Sequence, residues 1–473
     1  MIHINTNIPS MVAARILDTQ NERLNTSLKR LGTGLRINVG KDDPAGLIAA
    51  EALRADKTAI SAAIHNVSRA NNVVSSAEGG LEEIARLLTD LENLIDRSAN
   101  EAALNDDERD ANQLEIDAIL ESINRIANST EFQGRKLLNG DLDYTTSGVS
   151  STHFDDVQIN SAKLANGAYR TVVVEVTASA QVASLTYAAS ATGAGTTTIQ
   201  IQGNYGTETL TFTSGTAIAT VAEAVNQSKE LTGVSAAVIS ATGLQFSSTE
   251  YGSSKFVSVQ ALEGTFDVIG GDAGSTKDYG QDATVQVNGV TAITDGLSAR
   301  LQTSTLSVEL ELTSTFGTTP GTSTFYVTGG GADFMIAPTV SLSGMASLGI
   351  KAVSTSTLGK GSVGFLSSLG SGQTNSIASG NFAAAQRIVR IAQTQVSELR
   401  GRLGAFQKDT LEATANSLNV TLENISAALA NIRETDFAQE TSELTRSQIL
   451  VQSAMSVLRI ANVQPQQALV LLS

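Results

Sequence analysis

Apolar residues recur every seven positions along one stretch near the start of the chain: Ile60, Val67, Val74, Leu81, Leu88 and Ile95. Ala63, Ala70, Ala77, Ile84 and Leu91 follow the first five of them by three. Such a pattern is the a/d seam of a left-handed coiled coil, because a 3.5-residue repeat keeps one stripe facing a partner helix. It predicts a helix from Pro44 to Ser98, about 80 Å long at 1.5 Å per residue. Asp43 suits the N-cap, and Pro44 suits the first helical position, where a missing N–H costs nothing. Gly79-Gly80 weakens this helix locally. A second helix fits about 106–129, with Ile116, Ile119, Ile123 and Ile126 on one face.

The C-terminal end answers in kind. Leu411, Leu418, Ile425 and Ile432 form a seam with Ala415, Leu422 and Leu429 at its d positions, which predicts a helix over about 380–433. A new seventh-residue series then starts with Phe437, Leu444, Val451 and Leu458. Each end therefore has an outer helix, about 9–31 and 436–461, and an inner helical part. A joint separates them, "RLGTGLRINVGKDD" at one end and "RETDFA" at the other. The first joint holds Gly32, Gly34, Gly40, Arg36 and the Asp43-Pro44 restart. Two ends with one plan are expected to pair.

The middle, residues 143–374, is rich in Thr, Ser, Gly and Val, and reads as β. "TTTIQIQGNYGTETLTFTSG" and "GLQFSSTEYGSSKFVSVQ" alternate apolar and polar residues, and "AIATVAEAVNQSKELTGVSA" between them reads as one short helix. "TVQVNGV" and "TSTFYVTGGG" add strands. The fold class is α+β: a discontinuous coiled-coil rod built from both chain ends, with one or two β-rich lobes inserted between them.

Composition narrows the function. The formal net charge is −16, so phosphate backbones and anionic membrane surfaces are repelled, and neither nucleic acid nor membrane is expected as a partner. The chain has no cysteine, which removes disulfides, thiol catalysis and cysteine-type zinc sites. His3, His65 and His153 have no metal spacing, and no H-E-x-x-H occurs. Gly32, Gly34 and Gly40 do not make a G-x-G-x-x-G loop, and Lys41 is followed by Asp rather than Ser or Thr. Asp42-Asp43 reads as a helix cap. No residue is read as catalytic, and no metal or cofactor is expected. The start of the chain lacks a basic n-region and an apolar h-region, so no Sec signal is read there.

The remaining signal is apolar. Leu24, Leu28 and Leu31 at one end, and Val451, Met455 and Leu458 at the other, give the outer helices apolar faces. Two such helices make a thin core alone, so these faces are expected to be completed by neighbouring subunits.

"INTN" near the start, "LKRLGTGLRINVGKDDPAGLIAAEALRA", "STEFQGRKLLNG" and the closing "ETDFAQETSELTRSQILVQSAMSVLRIANVQPQQALVLLS" together resemble bacterial flagellin. The block 198–260 is similar to a small repeat domain often inserted in that family. The resemblance implies a subunit that polymerises with itself into the flagellar filament, outside the cell and exported unfolded without a Sec signal. It implies that 1–43 and 436–473 line the filament core, that 44–142 and 375–435 form the outer tube, and that 143–374 faces solvent. It also implies cap and hook-associated junction proteins as partners, and a cytoplasmic export chaperone on the C-terminal helix. Two other roles fit the same residues: a hook–filament junction protein, or a filament subunit whose β lobes also act as an adhesin. One departure stands out. "TDLENLIDR" at 89–97 carries Asp90 and Glu92 where flagellins well detected by vertebrate innate receptors carry arginine, which implies weak receptor recognition.

Overall fold

A computed structural model describes residues 6–100, 105–164, 168–271 and 274–472. The helices among them are α1 (Ile8–Thr33), α2 (Pro44–Ser98), α3 (Asp106–Ser129), α4 (Ile218–Gln227), α5 (Lys229–Thr232), α6 (Ser314–Gly317), α7 (Phe382–Ala405), α8 (Ala413–Arg433) and α9 (Phe437–Leu472). The chain forms two compact units. The first contains residues 1–66, 337–339 and 413–473, and the second contains 67–336 and 340–412.

In the second unit, the α2 seam is sealed. Val74, Leu81, Ile84, Leu88 and Leu91 are fully buried, and they pack with Ile116 and Ile123 of α3 and with Ile388, Val389 and Val396 of α7. Helix α3 begins with a reciprocal cap: Asn105 accepts from the Glu108 amide at 2.8 Å, and Glu108 accepts from the Asn105 amide at 3.0 Å. Helix α7 runs antiparallel to α2. Gln386 reaches Asp96, Arg390 reaches Glu92, Gln393 reaches Leu88, and Gln407 beyond the helix end reaches Ser75, so one number falls as the other rises. Gly80, which costs helix propensity, creates space here. A Cβ on it would sit 2.6 Å from Thr130 Oγ1 and 2.9 Å from Leu138. The turn "EFQGRK" closes the hairpin Glu131–Phe132 to Arg135–Lys136, with Gln133 at φ 51° and Gly134 at φ 82°.

The helix expected as one piece over 380–433 contains an interruption. Phe406–Glu412 winds as a π-helix between α7 and α8. The reason is a change of register. Val389, Val396 and Leu403 are buried seven apart, but the next buried seam residue is Leu411, eight further on. One wide turn absorbs the extra residue and keeps both series on the inner face. The outer C-terminal helix also runs further than the periodicity indicates, to Leu472 rather than 461.

The β zone makes two lobes in the second unit. In the first, a five-stranded sheet and a four-stranded sheet enclose one core. Alternate residues point into it: Val172, Val174 and Val176 from Arg170–Ala178, and Leu306, Val308, Leu310 and Leu312 from Leu306–Leu312. The smaller lobe packs two four-stranded sheets with α4, around Leu244, Phe246, Val257, Val259 and Val221. Its core reaches beyond 198–260, taking Leu185 and Tyr187 before it and Phe266 after it. The expected single helix there is broken into α4 and α5 at Ser228. Residues 348–369, counted with the β zone by composition, place Leu348, Ile350, Val353, Leu358, Leu366 and Leu369 in the helical core.

Glu92 joins α2 to α7 by accepting from Arg390 and Gln393, both at 3.0 Å, and the Arg390 bond is the main cause that holds its carboxyl below its ordinary 4.5. A carboxyl lowered on folding stabilises the fold above its unfolded pKa, and that stability is lost as pH falls through the folded value. Glu92→Gln is therefore expected to flatten the loss of stability below pH 4.5, relative to the unchanged chain, in urea melts across pH. An unaltered acid limb would contradict the assignment.

Candidate assembly surface

The site is the helix pair α1 and α9 of the first unit. Asn7 caps α1, accepting from Ser10 N at 3.0 Å, and its amide donates to the Ala461 carbonyl at 2.9 Å. Asn7 is the last residue of "INTN"; Ile4 and Asn5 of that motif, like His3, lie outside the described residues. At the other end of α1, Arg30 pairs with Glu440 at 3.6 Å. The two helices thus run antiparallel along their length.

What lies between them is mostly small. The buried residues of α1 are Ala13 and Ser27, and the described buried side chains of α9 are Glu440, which pairs with Arg30, and Ser447, Ala454 and Ala461. Small side chains let the two backbones approach closely, which leaves the large ones pointing away. Met11 is 66% exposed, Ile8 55%, Ile449 59%, Val457 55% and Ile460 62%. The sequence-derived residues divide along the same line. Leu24, Leu31, Val451 and Leu458 are half-buried, whereas Leu28 and Met455 are each 50% exposed. This is the reverse of a soluble helical hairpin, which hides its large aliphatic residues and shows its small ones.

The joints are paired. Helix α1 ends at Gly34, whose φ of 71° is the left-handed conformation that glycine adopts freely and whose N–H returns to the Arg30 carbonyl. The Thr435 amide donates to the Gly34 carbonyl at 3.0 Å, and Arg36 donates from its backbone to Arg433 O and from its side chain to Ile432 O, both at 2.7 Å. So the break after α1 and the break before α9 meet as one short ladder, with Leu35 bridged to Glu434. Gly32 lies within α1, and no atom would oppose a Cβ there. Asp42 accepts from the amides of Asn38 and Val39, both at 3.0 Å, which closes the turn. Asp43 accepts from Gly46 N at 2.9 Å, the capping bond for a helix that begins at Pro44.

Sequence reasoning passed over Gly46, because a glycine in a helix's first turn carries no motif. A Cβ on it would lie 2.7 Å from buried Ile37, so Gly46 lets the turn fold back on the helix start. Along the seam, Ile60 and Val67 are each 3% exposed, Ile95 1%, Leu411 1% and Leu418 8%, while Ile425 and Ile432 are half-buried. Asp90 pairs with Arg86 at 3.1 Å.

Comparison with known proteins follows this geometry. The family model for the bacterial flagellin N-terminal helical region matches residues 4–143, that for the C-terminal helical region matches 387–472, and that for the flagellin hook IN motif matches 198–250. Together they take in more than half of the chain. The chain belongs to the flagellin family. This flagellin is 27% identical to flagellin D of Vibrio anguillarum, across 100% of its own length and 99% of the relative's. It is 28% identical to flagellin E of Vibrio cholerae, across 99% and 98% of the two chains. Among solved structures, the flagellar hook associated protein-3 of Legionella pneumophila is 12% identical over 84% of this chain and 99% of that one, with a TM-score of 0.27. No described helix of the flagellin is long and apolar enough to cross a membrane.

Gly34→Pro removes the N–H that returns to Arg30 and forbids the φ of 71°. Filament assembly is expected to fail while circular dichroism still reports the β lobes. Normal filaments from this variant would refute the role of the joint.

Proposed function

We propose that this flagellin is the repeating subunit of the bacterial flagellar filament, the propeller of swimming motility, and that α1 and α9 are its assembly surface. The reading is carried by one observation: this helix pair packs alanine and serine inside and leaves methionine, isoleucine and valine outside. Each large aliphatic side chain covered on assembly contributes roughly 1.5–3 kcal/mol. An array of them on two helices suffices for a polymer when many copies stack.

In this reading residues 1–43 and 436–473 line the filament core, 44–142 and 375–435 build the outer tube, and 143–374 faces outward. The filament lies outside the cell. Cap and junction proteins meet the filament at its two ends. An export chaperone covers the apolar face of α9 before assembly, since an uncovered face of that kind aggregates. The surface works by binding, and the reading gives no residue a catalytic role.

Seeded growth watched by electron microscopy tests the reading. Wild-type monomers are expected to extend filament fragments into long uniform filaments. Met455→Asp with Ile460→Asp is expected to abolish extension and leave the melting temperature of the monomer close to wild type, because both positions are exposed. Persistent wild-type monomers in the presence of seeds would count against the filament role.

Weak recognition by vertebrate innate receptors follows from Asp90 and Glu92, whose charges are already engaged by Arg86 and Arg390. A cell reporter assay is expected to show low potency. Potency equal to that of a strongly detected flagellin would overturn this part.

A further inference from the structure

Sulfur enters this chain only as thioether: it has five methionines and no cysteine. Four of the methionines lie among the described residues, and the structure divides them into two kinds. Met335 and Met345 are register partners in the hairpin Ala332–Met335 to Met345–Leu348, and both are half-buried. Met11 of α1 and Met455 of α9 are exposed. The fold therefore puts both of these open sulfur atoms on one helix pair, the pair that turns its large apolar residues outward.

The two also share a level along the pair. Asn7 donates to the Ala461 carbonyl, Met11 lies four residues beyond Asn7, and Met455 lies six before Ala461. In an antiparallel pair, at 1.5 Å per residue, the two thioethers are offset by only about 3 Å along the axis. Each stands one turn from aliphatic residues of its own helix: Ile8 beside Met11, and Val451 and Leu458 beside Met455. Each is also followed four residues on by an exposed arginine, Arg15 and Arg459.

We propose that Met11 and Met455 form an oxidation-sensitive gate on assembly, modified by a peroxide-class oxidant while the subunit is unassembled. The inference rests on α1 and α9 being the assembly surface. A thioether lone pair attacks the peroxide: a sulfur–oxygen bond forms, the O–O bond breaks, the sulfur gives up two electrons, and hydrogen peroxide is reduced to water. The product is methionine sulfoxide, a polar side chain where an apolar one stood. Burying its oxygen among aliphatic side chains without a donor costs free energy. In the free subunit the oxygen is hydrated, and an arginine stands one turn away as a donor. Oxidation therefore favours the free subunit over the polymer. A sulfoxide reductase driven by a dithiol reverses the change, returning the thioether and leaving water and a disulfide of the reductant.

Hydrogen peroxide treatment of purified full-length monomers tests this, read by seeded growth under the electron microscope and by mass spectrometry of the methionine peptides. Sulfoxide at Met11 and Met455 is expected to slow elongation about tenfold or more, the usual effect of burying an unpaired polar group. Methionine sulfoxide reductases A and B are expected to restore the rate. In filaments given the same dose, both sites are expected to stay thioethers. Met11→Leu with Met455→Leu keeps Met335 and Met345 as oxidisable controls, and its peroxide-treated rate is expected to equal its own untreated rate. If that variant does not extend seeds, the oxidation and repair series of the wild type decides. Unchanged growth of the oxidised wild type overturns the proposal. So does a loss that the reductases do not reverse, an equal proportional loss in the double variant, or oxidation of both sites in filaments at the monomer's rate. Untreated wild-type monomers that fail to extend seeds overturn the assembly reading itself, a result separate from these.

Discussion

The architecture depends on one stripe of apolar side chains on α2. A helix of 55 residues has no core of its own, and it holds its course only where a partner covers the stripe. Along α2 the seam residues from Ile60 to Ile95 are all at or below 3% exposure. In the second unit the partners are α3, α7 and residues from the nominal β zone, which fill the gaps between helices. The cost of each local irregularity is set by this seam. Gly80 is tolerated because Thr130 and Leu138 need its space, and the π turn at Phe406–Glu412 exists because the buried series slips by one residue.

The helix pair of the first unit obeys the opposite rule. Where the seam of α2 hides leucine, isoleucine and valine, α1 and α9 hide alanine and serine and turn their large residues outward. A monomer built this way exposes apolar surface that water disfavours, and the free energy of covering it is available only through other subunits. The paired joint at Gly34 and Thr435 holds the two helices at a common base, so that both apolar faces are presented by one element.

The β lobes meet α7 through charge. Arg387 of α7 pairs with Glu230 and lies 5.6 Å from the Tyr205 ring of the smaller lobe, and Arg300 of the larger lobe approaches Glu398 of α7 at 3.9 Å. Exposed pairs of this kind add little stability but fix orientation. Arg402, one turn beyond Glu398, instead donates from its terminal nitrogens to the Gln158 side chain of the larger lobe, at 3.1 and 2.7 Å.

The helices, their seams, the breaks between them and several strands were legible in the chain because their periodicities are local: seven-residue spacing for the seams, alternation for Thr197–Gln202, an acidic cap before Pro44. The family was legible too, in the blocks at both ends. The tertiary structure alone decided what no local pattern encodes. Heptad spacing marks a residue as apolar-facing but does not say whether its partner belongs to the same chain, so the exposure of Leu28 and Met455 and the half-burial of Leu24 and Val451 came from packing. The one-residue slip before Leu411 became a π turn because a buried series must stay on one face. Residues 348–369 look like β-zone loop by composition, yet their leucines and isoleucine complete the helical core, since a core is filled by whatever the chain brings near it. Gly46 carried no motif, because a close approach is a property of distant neighbours in space.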